Sequence, residues 1–405
     1  MIRVLYITYD GLLDPLGRSQ VLPYLLGLGR RGVKIWALSF EKPDKLAAVS
    51  EVERLEKELA GAGVTWVRSR YHRKPVIPAT LWDLTRGIVI GLWLALTRRI
   101  KIVHARSYVA AAMALASAGL PGRRFVFDMR GFWPDERVEG GAWRAGGPVY
   151  RVWKNLERRF LARAAAIISL TERGVEAIRG ELLPAREKSP RFEVIPTCAD
   201  LSLFRPGAGR QRESGGLRLI YLGSLGSWYM LEEMLSFFGE VQRRLPESRF
   251  RLVTASDPAV IPEAARRCGL SPAAAGRISA GVLPREQVPA ALAESDCSVF
   301  FIRPVLSKRA SCATKFAESI ACGVPVVINS GIGDHDRHVR ADRVGIVLET
   351  LDRQALAAAV DRLLELLTDP GLAGRCRALA ERGFSLEGAV ERYQSVYEEL
   401  AGGKA

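Results

Sequence analysis

The sequence predicts an α/β chain built from two doubly wound parallel sheets, each with its own core. Three observations predict it. Short runs rich in β-branched and aromatic residues alternate with helix-period segments along most of the chain, which is the pattern of right-handed βαβ units. The alternation breaks at 207–216 (GAGRQRESGG), a stretch of glycine and charge without periodicity, and then restarts. The length of 405 residues exceeds what one core usually supports and suits two domains of roughly 150–200 residues each.

Before the break, strands are expected at 4–9, 33–40, 64–70, 100–107, 124–130, 165–171 and 192–197. Helices are expected from about Ser19, over 45–62, over 81–97 and over 147–165. After it, strands are expected at 217–223, 249–256, 295–302 and 325–330, with helices between. Doubly wound sheets bind ligands at the carboxyl ends of their strands. Two such domains facing each other would line a shared central cleft, so functional residues are sought in the loops after strands.

Hydrophobic residues make up 48% and charged residues 25% of the chain, the profile of a globular protein with sizeable cores. The formal charge of +15 suits an anionic substrate, an anionic membrane surface or nucleic acid, or reflects an arginine-biased composition. No nucleic-acid motif accompanies it, so a nucleic-acid partner is not expected. The cysteines at 198, 268, 297, 312, 322 and 376 show no CxxC spacing, which removes support for a zinc ribbon or dithiol site. The chain opens directly on a strand, MIRVLYITY. A cytoplasmic location is therefore expected. The longest apolar run, 87–96 (GIVIGLWLAL), is too short to cross a bilayer.

The first loop, 10–18 (DGLLDPLGR), lacks the GxGxxG fingerprint. Gly17 would let a ligand approach the backbone, and Arg18 would add charge at a helix start; an ordinary βα turn is the plain alternative. Segment 128–137 (DMRGFWPDER) follows a strand and gathers Asp128, Arg130, Trp133, Asp135 and Glu136. It reads as an acceptor or reaction-centre wall, with Asp128 and Arg130 foremost, or as a structural ion-pair cluster. His104 and Arg106 end the preceding strand and would join it. His335 and His338, near Asp334 and Asp336, superficially suggest a metal site, but a lone HxxH is weak and no metal is expected. Segment 68–101 combines eight Lys or Arg with Trp82, Trp93 and the 87–96 run. It reads either as a helix lying on an anionic membrane surface or as a core helix with a solvated basic end.

The most telling stretch is 311–327 (SCATKFAESIACGVPVV). Ser311 and Thr314 stand where a helix would begin, and Glu318 lies one turn inside. Cys322 and Gly323 form a glycine C-cap, and Val324-Pro325 leads into a buried strand. A helix start presents free N–H groups and a positive dipole end, which suit a diphosphate. Lys315 would add a full charge there. A surface helix with unremarkable charges is the alternative.

Glu318 followed by ACGVPVV resembles the C-terminal signature of retaining glycosyltransferases of family four, which have the GT-B fold. Segments 194–206 (VIPTCADLSLFRP), 221–224 (YLGS) and 383–400 (GFSLEGAVERYQSVYEEL) are similar to its interdomain segment, the first loop of its nucleotide domain and its crossover helix. The chain departs from the family at Ala310, where the signature's first Glu would stand. It departs again at 224–229 (SLGSWY), where the usual Arg and Lys are missing.

The resemblance implies an acceptor-side domain at 1–206, a linker at 207–216, a nucleotide-sugar domain at 217–384, and a helix at 385–405 crossing back onto the first domain. It implies metal-independent transfer, with retention, from a UDP-linked sugar to a hydroxyl of a glycan or lipid-linked acceptor, in cell-envelope or polysaccharide synthesis. A nucleotide-sugar epimerase or a non-catalytic nucleotide- or membrane-binding subunit are its rivals. Donor contacts fall on Gly17, Ser224, Gly226, Val282, Arg303, Thr314, Lys315 and Glu318. Acceptor contacts fall on Arg18, His104, Arg106, Trp133, Asp135 and Glu136. Lys315, Asp128 and Arg130 are the catalytic candidates, with Lys315 replacing the missing cations. Residues 68–101 would carry the membrane contact.

Overall fold

The computed structural model describes residues 1–183, 189–207, 215–226 and 228–402. The chain divides into two compact units, Met1–Pro196 with Leu386–Ala405, and Thr197–Ser385. Both are α/β units built on parallel sheets.

The first sheet contains β1 (Arg3–Thr8), β2 (Lys34–Glu41), β3 (Val64–Arg70), β4 (Ile102–Arg106), β5 (Arg124–Asp128), β6 (Ala166–Ser169) and β7 (Arg191–Val194), in the order β3-β2-β1-β4-β5-β6-β7. Every pairing is parallel. Helices cover both faces, so the central strands read as continuous apolar runs. The chain reverses direction across the sheet between β1 and β4, the position where such folds bind ligands. The last helix, Leu386–Gly402, packs on the Leu22–Arg30 helix and on β4. It buries Ala389, Val390, Tyr393, Val396, Tyr397 and Leu400 at helical spacing.

The second sheet contains β8 (Arg218–Leu222), β9 (Arg249–Val253), β10 (Ile278–Gly281), β11 (Cys297–Phe300), β12 (Val326–Asn329) and β13 (Gly345–Leu348), in the order β10-β9-β8-β11-β12-β13, again all parallel. β10 and β13 have no counterpart in the expected strands. β10 is a four-residue edge strand, mostly exposed, with no apolar run to announce it.

Two expectations need correction, and a third lies mostly outside the described residues. Residues 197–206 belong to the second unit, not the first. The Thr197 hydroxyl donates to the Cys312 carbonyl, Ala199 pairs with Ser385, Phe204 is fully buried in the second core, and Arg377 donates to the carbonyls of Leu201 and Phe204. Of the expected linker 207–216, residues 208–214 lie outside the described residues. Finally, the helix expected over 81–97, whose 87–96 run is too short to cross a bilayer, is longer and apolar over more of its length. It runs over Val76–Thr97, 22 residues, and by length and composition alone it could cross a membrane. It nevertheless packs as a layer of the first unit, on the Ser107–Ala118 helix and on β1 and β2.

Candidate functional site

In the second unit, three loops leave the carboxyl ends of β8, β11 and β12. The first, after β8, supplies aromatic rings instead of cations. Gly223, at φ +133°, bonds through its N–H to the Val253 carbonyl. Tyr221 donates its hydroxyl to the Ser224 carbonyl at 2.5 Å. Trp228 and Tyr229 then fold back. The Arg303 N–H donates to the Trp228 carbonyl, the Met230 N–H donates to the Phe301 carbonyl, and Tyr229 bridges to Ile302.

The cations arrive from the second loop. The Arg303 guanidinium carbon lies 5.0 Å from the Trp228 ring centre, and Lys308 Nζ lies 4.0 Å from it. Lys315 Nζ lies 3.5 Å from the Tyr229 ring centre, 4.2 Å from Tyr221 and 5.6 Å from Phe300. Ring faces attract ammonium groups, and more so when water is excluded. Lys315 is only 5% exposed, and its Nζ has no hydrogen-bond partner among the described residues. Burial pulls its pKa well below the ordinary value, with Glu318 partly opposing the shift. A side chain added at Gly223 would stand 2.9 Å from Nζ, so glycine keeps the space above the ammonium open.

Lys315 and Glu318 lie on the Thr314–Ala321 helix, one turn apart. The N-cap position is Ala313, without a side-chain cap, and its N–H donates to His335 Nε2 at 3.2 Å. The helix closes at Cys322, with Gly323 at φ +73°. Glu318 is buried and accepts from Arg285 Nη1 at 2.9 Å. Burial raises its pKa, and Arg285 opposes the rise. The third loop fixes the second: Gly333 N–H donates to the Lys308 carbonyl, and the Asn329 amide bonds both backbone groups of Ile302.

In the first unit, the ends of β1, β4 and β5 carry a different arrangement. Asp128 is fully buried. It accepts the Tyr393 hydroxyl at 2.9 Å and lies 3.6 Å from His104 Nε2, 3.7 Å from Arg106 and 4.0 Å from Arg130. Burial alone would raise its pKa, but Arg130, His104 and Arg106 outweigh it and hold it at about 2. His104 is fully buried and stacks on Tyr6 at 4.5 Å. Its pKa is lowered, by burial first and with Asp128 opposing, so the ring is neutral. Nδ1 lies 2.7 Å from the Tyr397 hydroxyl, and Nε2 faces Asp128 at 3.6 Å. Arg106 and Arg130 both donate to Gln20 Oε1, at 3.0 and 3.1 Å. Arg130 holds a left-handed backbone, φ +61°, a conformation that costs a non-glycine residue about 1–3 kcal/mol and clusters at functional sites.

Residues 20–198 fit the model of the Glycosyl transferase 4-like domain. Residues 216–366 fit the model of Glycosyl transferases group 1. The chain is a glycosyltransferase of the GT-B type. Among curated proteins, no sequence relative matches it. Its fold is similar to that of sucrose-phosphate synthase from Thermosynechococcus elongatus, at 14% identity and a TM-score of 0.77, with 99% of this chain and 100% of that one covered. It is similar to Anabaena HepE solved with UDP-glucose, at 14% identity and a TM-score of 0.67, covering 98% and 100%. It is also similar to WaaG, a glycosyltransferase involved in lipopolysaccharide biosynthesis, at 13% and 0.66, covering 99% and 100%.

In this GT-B glycosyltransferase, the second unit gathers Ser224, Gly226, Arg303, Thr314, Lys315 and Glu318 around the loops just described. Val282 stands apart. It is exposed beyond the end of β10 and lines a groove of about 430 Å³ with Arg251, Gly281 and Glu294. In the first unit, several expected acceptor contacts, and the expected donor contact Gly17, have structural roles. Arg18 pairs with Glu51. Gly17 serves its own loop, because a side chain there would strike the Gly11 carbonyl at 1.9 Å. Asp135 accepts from Tyr150 and Lys154. Trp133 packs edge-on against Trp143 and Trp153, with ring centres at 5.0 and 4.9 Å. Glu136 lies in the first turn of the Trp133–Glu139 helix.

The sequence reading missed Glu41. This buried carboxylate at the end of β2 accepts the Leu12 and Leu13 N–H groups at 2.7 and 3.2 Å and the Ser39 hydroxyl at 2.6 Å. It clamps the first loop. An acidic residue ending an otherwise apolar strand was the available signal. Among the described residues, no group of three or more His, Cys, Asp or Glu is placed to hold a metal ion.

Proposed function

We propose that this protein transfers a hexosyl group, with retention, from a UDP-sugar to a hydroxyl of a glycan or lipid-linked acceptor in cell-envelope or polysaccharide synthesis. The observation that carries the reading is Lys315, a buried ammonium held against aromatic rings with no hydrogen-bond partner among the described residues, beneath an open glycine at the strand ends. A diphosphate supplies the anion such a group lacks, and Lys308 and Arg303 add charge beside it. These three cations take the place of the Arg and Lys missing from 224–229. Glu318, with its charge already balanced by Arg285, is suited to accept ribose hydroxyls.

The chemistry follows from positioning and charge. The bond between the anomeric carbon and the diphosphate oxygen breaks, and negative charge grows on the leaving diphosphate, where Lys315 stabilises it. The acceptor oxygen bonds the anomeric carbon on the same face and passes its proton to the departing phosphate oxygen. No metal or other cofactor takes part in this scheme. In the first unit, Arg106 and Arg130 orient the acceptor, and Asp128 and His104 fix those arginines. The six cysteines form no disulfide among the described residues, which suits a reducing, cytoplasmic compartment.

The test is a thermal-shift screen of nucleotides and nucleotide-sugars, followed by product analysis. A ligand that binds only the native state raises the melting temperature. UDP should raise it, and Lys315→Ala should remove the rise. Sugar on an acceptor supports transfer, isomerised donor supports an epimerase, and nucleotide binding without turnover supports a non-catalytic subunit. No shift with any nucleotide would overturn the reading.

A further inference from the structure

The Val76–Thr97 helix is amphipathic in reverse. Its buried face carries Ala79, Asp83, Gly87, Gly91, Leu94 and Ala95, mostly small groups that let it lie close to its neighbours. A side chain at Gly87 would strike Met113 Sδ at 2.4 Å, and one at Gly91 would meet Ser117 Oγ at 2.9 Å. The large apolar residues point the other way. Trp82, Val89, Trp93 and Leu96 are 56, 61, 52 and 62% exposed. Their spacing of i, i+7, i+11 and i+14 sets them along one stripe at 3.6 residues per turn. Ile77 and Leu81 extend the apolar surface at the N-terminal end, both more than half exposed. A helix of this length is about 33 Å long.

The charges divide with the same asymmetry. Asp83, the helix's one acidic residue, is fully buried and spent on Tyr9 and on both the backbone and the ring of His72. Arg73 and Lys74 precede the helix, and Arg98, Arg99 and Lys101 follow it, all of them exposed. Arg98 reaches over Trp93, 5.7 Å from its ring centre. The outward surface is thus an apolar stripe with tryptophans, interrupted by the half-buried Arg86, cationic at both ends and without an exposed acid on the helix.

We infer that this helix docks the protein onto an anionic lipid bilayer, lying in the interface with Trp82, Val89, Trp93 and Leu96 among the acyl chains and the basic ends against phosphate headgroups. An exposed apolar stripe of this kind marks a binding surface, and basic termini around it match anionic lipid. The helix lies along the surface and does not span it, because its opposite face is committed to the Ser107–Ala118 helix and to Asp83's partners. The inference stands on this helix alone and does not depend on the proposed reaction.

The test is co-sedimentation of the full chain with phosphatidylglycerol-containing vesicles and with pure phosphatidylcholine vesicles. Wild type should sediment with the anionic vesicles, release as salt is raised, and show a blue shift in tryptophan emission that Trp82→Phe with Trp93→Phe removes. Val89→Glu with Leu96→Glu, both exposed positions, should abolish vesicle binding while circular dichroism, melting temperature and the UDP thermal shift stay at wild-type values. Arg73→Glu with Lys101→Glu should weaken binding at least tenfold. Absence of wild-type binding to anionic vesicles would overturn the inference. So would a wild-type dimer that Val89→Glu converts to monomer without any vesicle binding, since the stripe would then be an interface between copies. Because the nucleotide shift is read separately, failure here and failure of the glycosyltransferase reading are distinguishable.

Discussion

The strand ends of the two units hold similar inventories of buried charge and use them in opposite ways. In the first, Asp128 is surrounded by Tyr393, His104, Arg106 and Arg130, and its charge is balanced. In the second, Lys315 is buried against Tyr221, Tyr229 and Phe300, and its ammonium has no hydrogen-bond partner among the described residues. Burying a charge without a partner is costly. A balanced buried cluster holds a fold together, whereas an unbalanced one is a site whose missing charge comes with a ligand. The first cluster also ties the C-terminal helix to the sheet, through Tyr393 and Tyr397.

The contrast can be broken by substitution. The largest effect is expected from Asp128→Ala, which leaves Arg106 and Arg130 buried without their carboxylate. It should destabilise the first unit by about 3–5 kcal/mol, read by denaturant unfolding. A loss below about 1 kcal/mol would mean the cluster is not structural. Next is Lys315→Met. It should lower turnover by roughly 100-fold or more, the scale for removing a group that stabilises transition-state charge. Its melting temperature without ligand should hold or rise, because a desolvated charge has been removed. A fall in stability with activity intact would reverse the assignment of the two sites.

Gly223→Ala should weaken UDP binding by about 1–3 kcal/mol, since alanine disfavours φ +133° and would crowd Lys315 Nζ. Isothermal titration with UDP checks it, and unchanged affinity would show that the space above Nζ is not used. Tyr397→Phe, which removes the hydroxyl from His104, should cost about 1 kcal/mol of stability and leave UDP affinity alone.

The smallest effects are expected from pH, and the sign differs between the units. His104 has a lowered pKa in the fold, so the unfolded chain binds its proton first. Stability from this group is present above its ordinary value of 6.5 and is lost as pH falls below it. The Asp128 contribution is present above 3.8 and is lost as pH falls through about 2. Melting of the first unit should therefore begin to weaken below about pH 6.5 and weaken again in strong acid. For Lys315 the ligand requires the charged form, whose pKa is lowered in the free protein. UDP affinity should fall as pH rises, beginning well below the ordinary lysine value of 10.5. Affinity constant up to that value would show that Lys315 does not meet the diphosphate.

Much of this was legible from local pattern. Apolar runs marked the strands of both sheets except β10, a mostly exposed edge strand without one, and β13, whose short run at 344–348 the alternation did not single out. The 311–327 segment announced a helix that starts at Thr314 and ends before a left-handed glycine, because caps and proline act within a few residues of sequence. The absence of cations at 224–229 was equally plain. Lys315 was expected in their place; the gathering of Arg303, Lys308 and Lys315 on the ring faces of Trp228, Tyr221 and Tyr229 was not legible. At 128–136 local sequence left a reaction-centre wall and a structural ion-pair cluster both open, and it did not show the partners. Asp135 meets Lys154, and Asp128 meets Tyr393, and neither pairing is written in local sequence.

The two α/β units, the helix bearing Lys315 and Glu318, and the excess of positive charge could all be read along the chain. These follow from periodicity, capping and composition, which are properties of neighbouring residues. Contacts between distant segments settle that residues 197–206 join the second unit, that Asp128 is balanced while Lys315 Nζ has no hydrogen-bond partner among the described residues, and that the Val76–Thr97 helix turns its large apolar residues outward. That helix is apolar on most sides, so its periodicity alone cannot say which face is buried. The choice rests on Gly87, Gly91 and Asp83, which fit closely against Met113, Ser117, Tyr9 and His72, and close packing is settled only where segments distant in sequence meet.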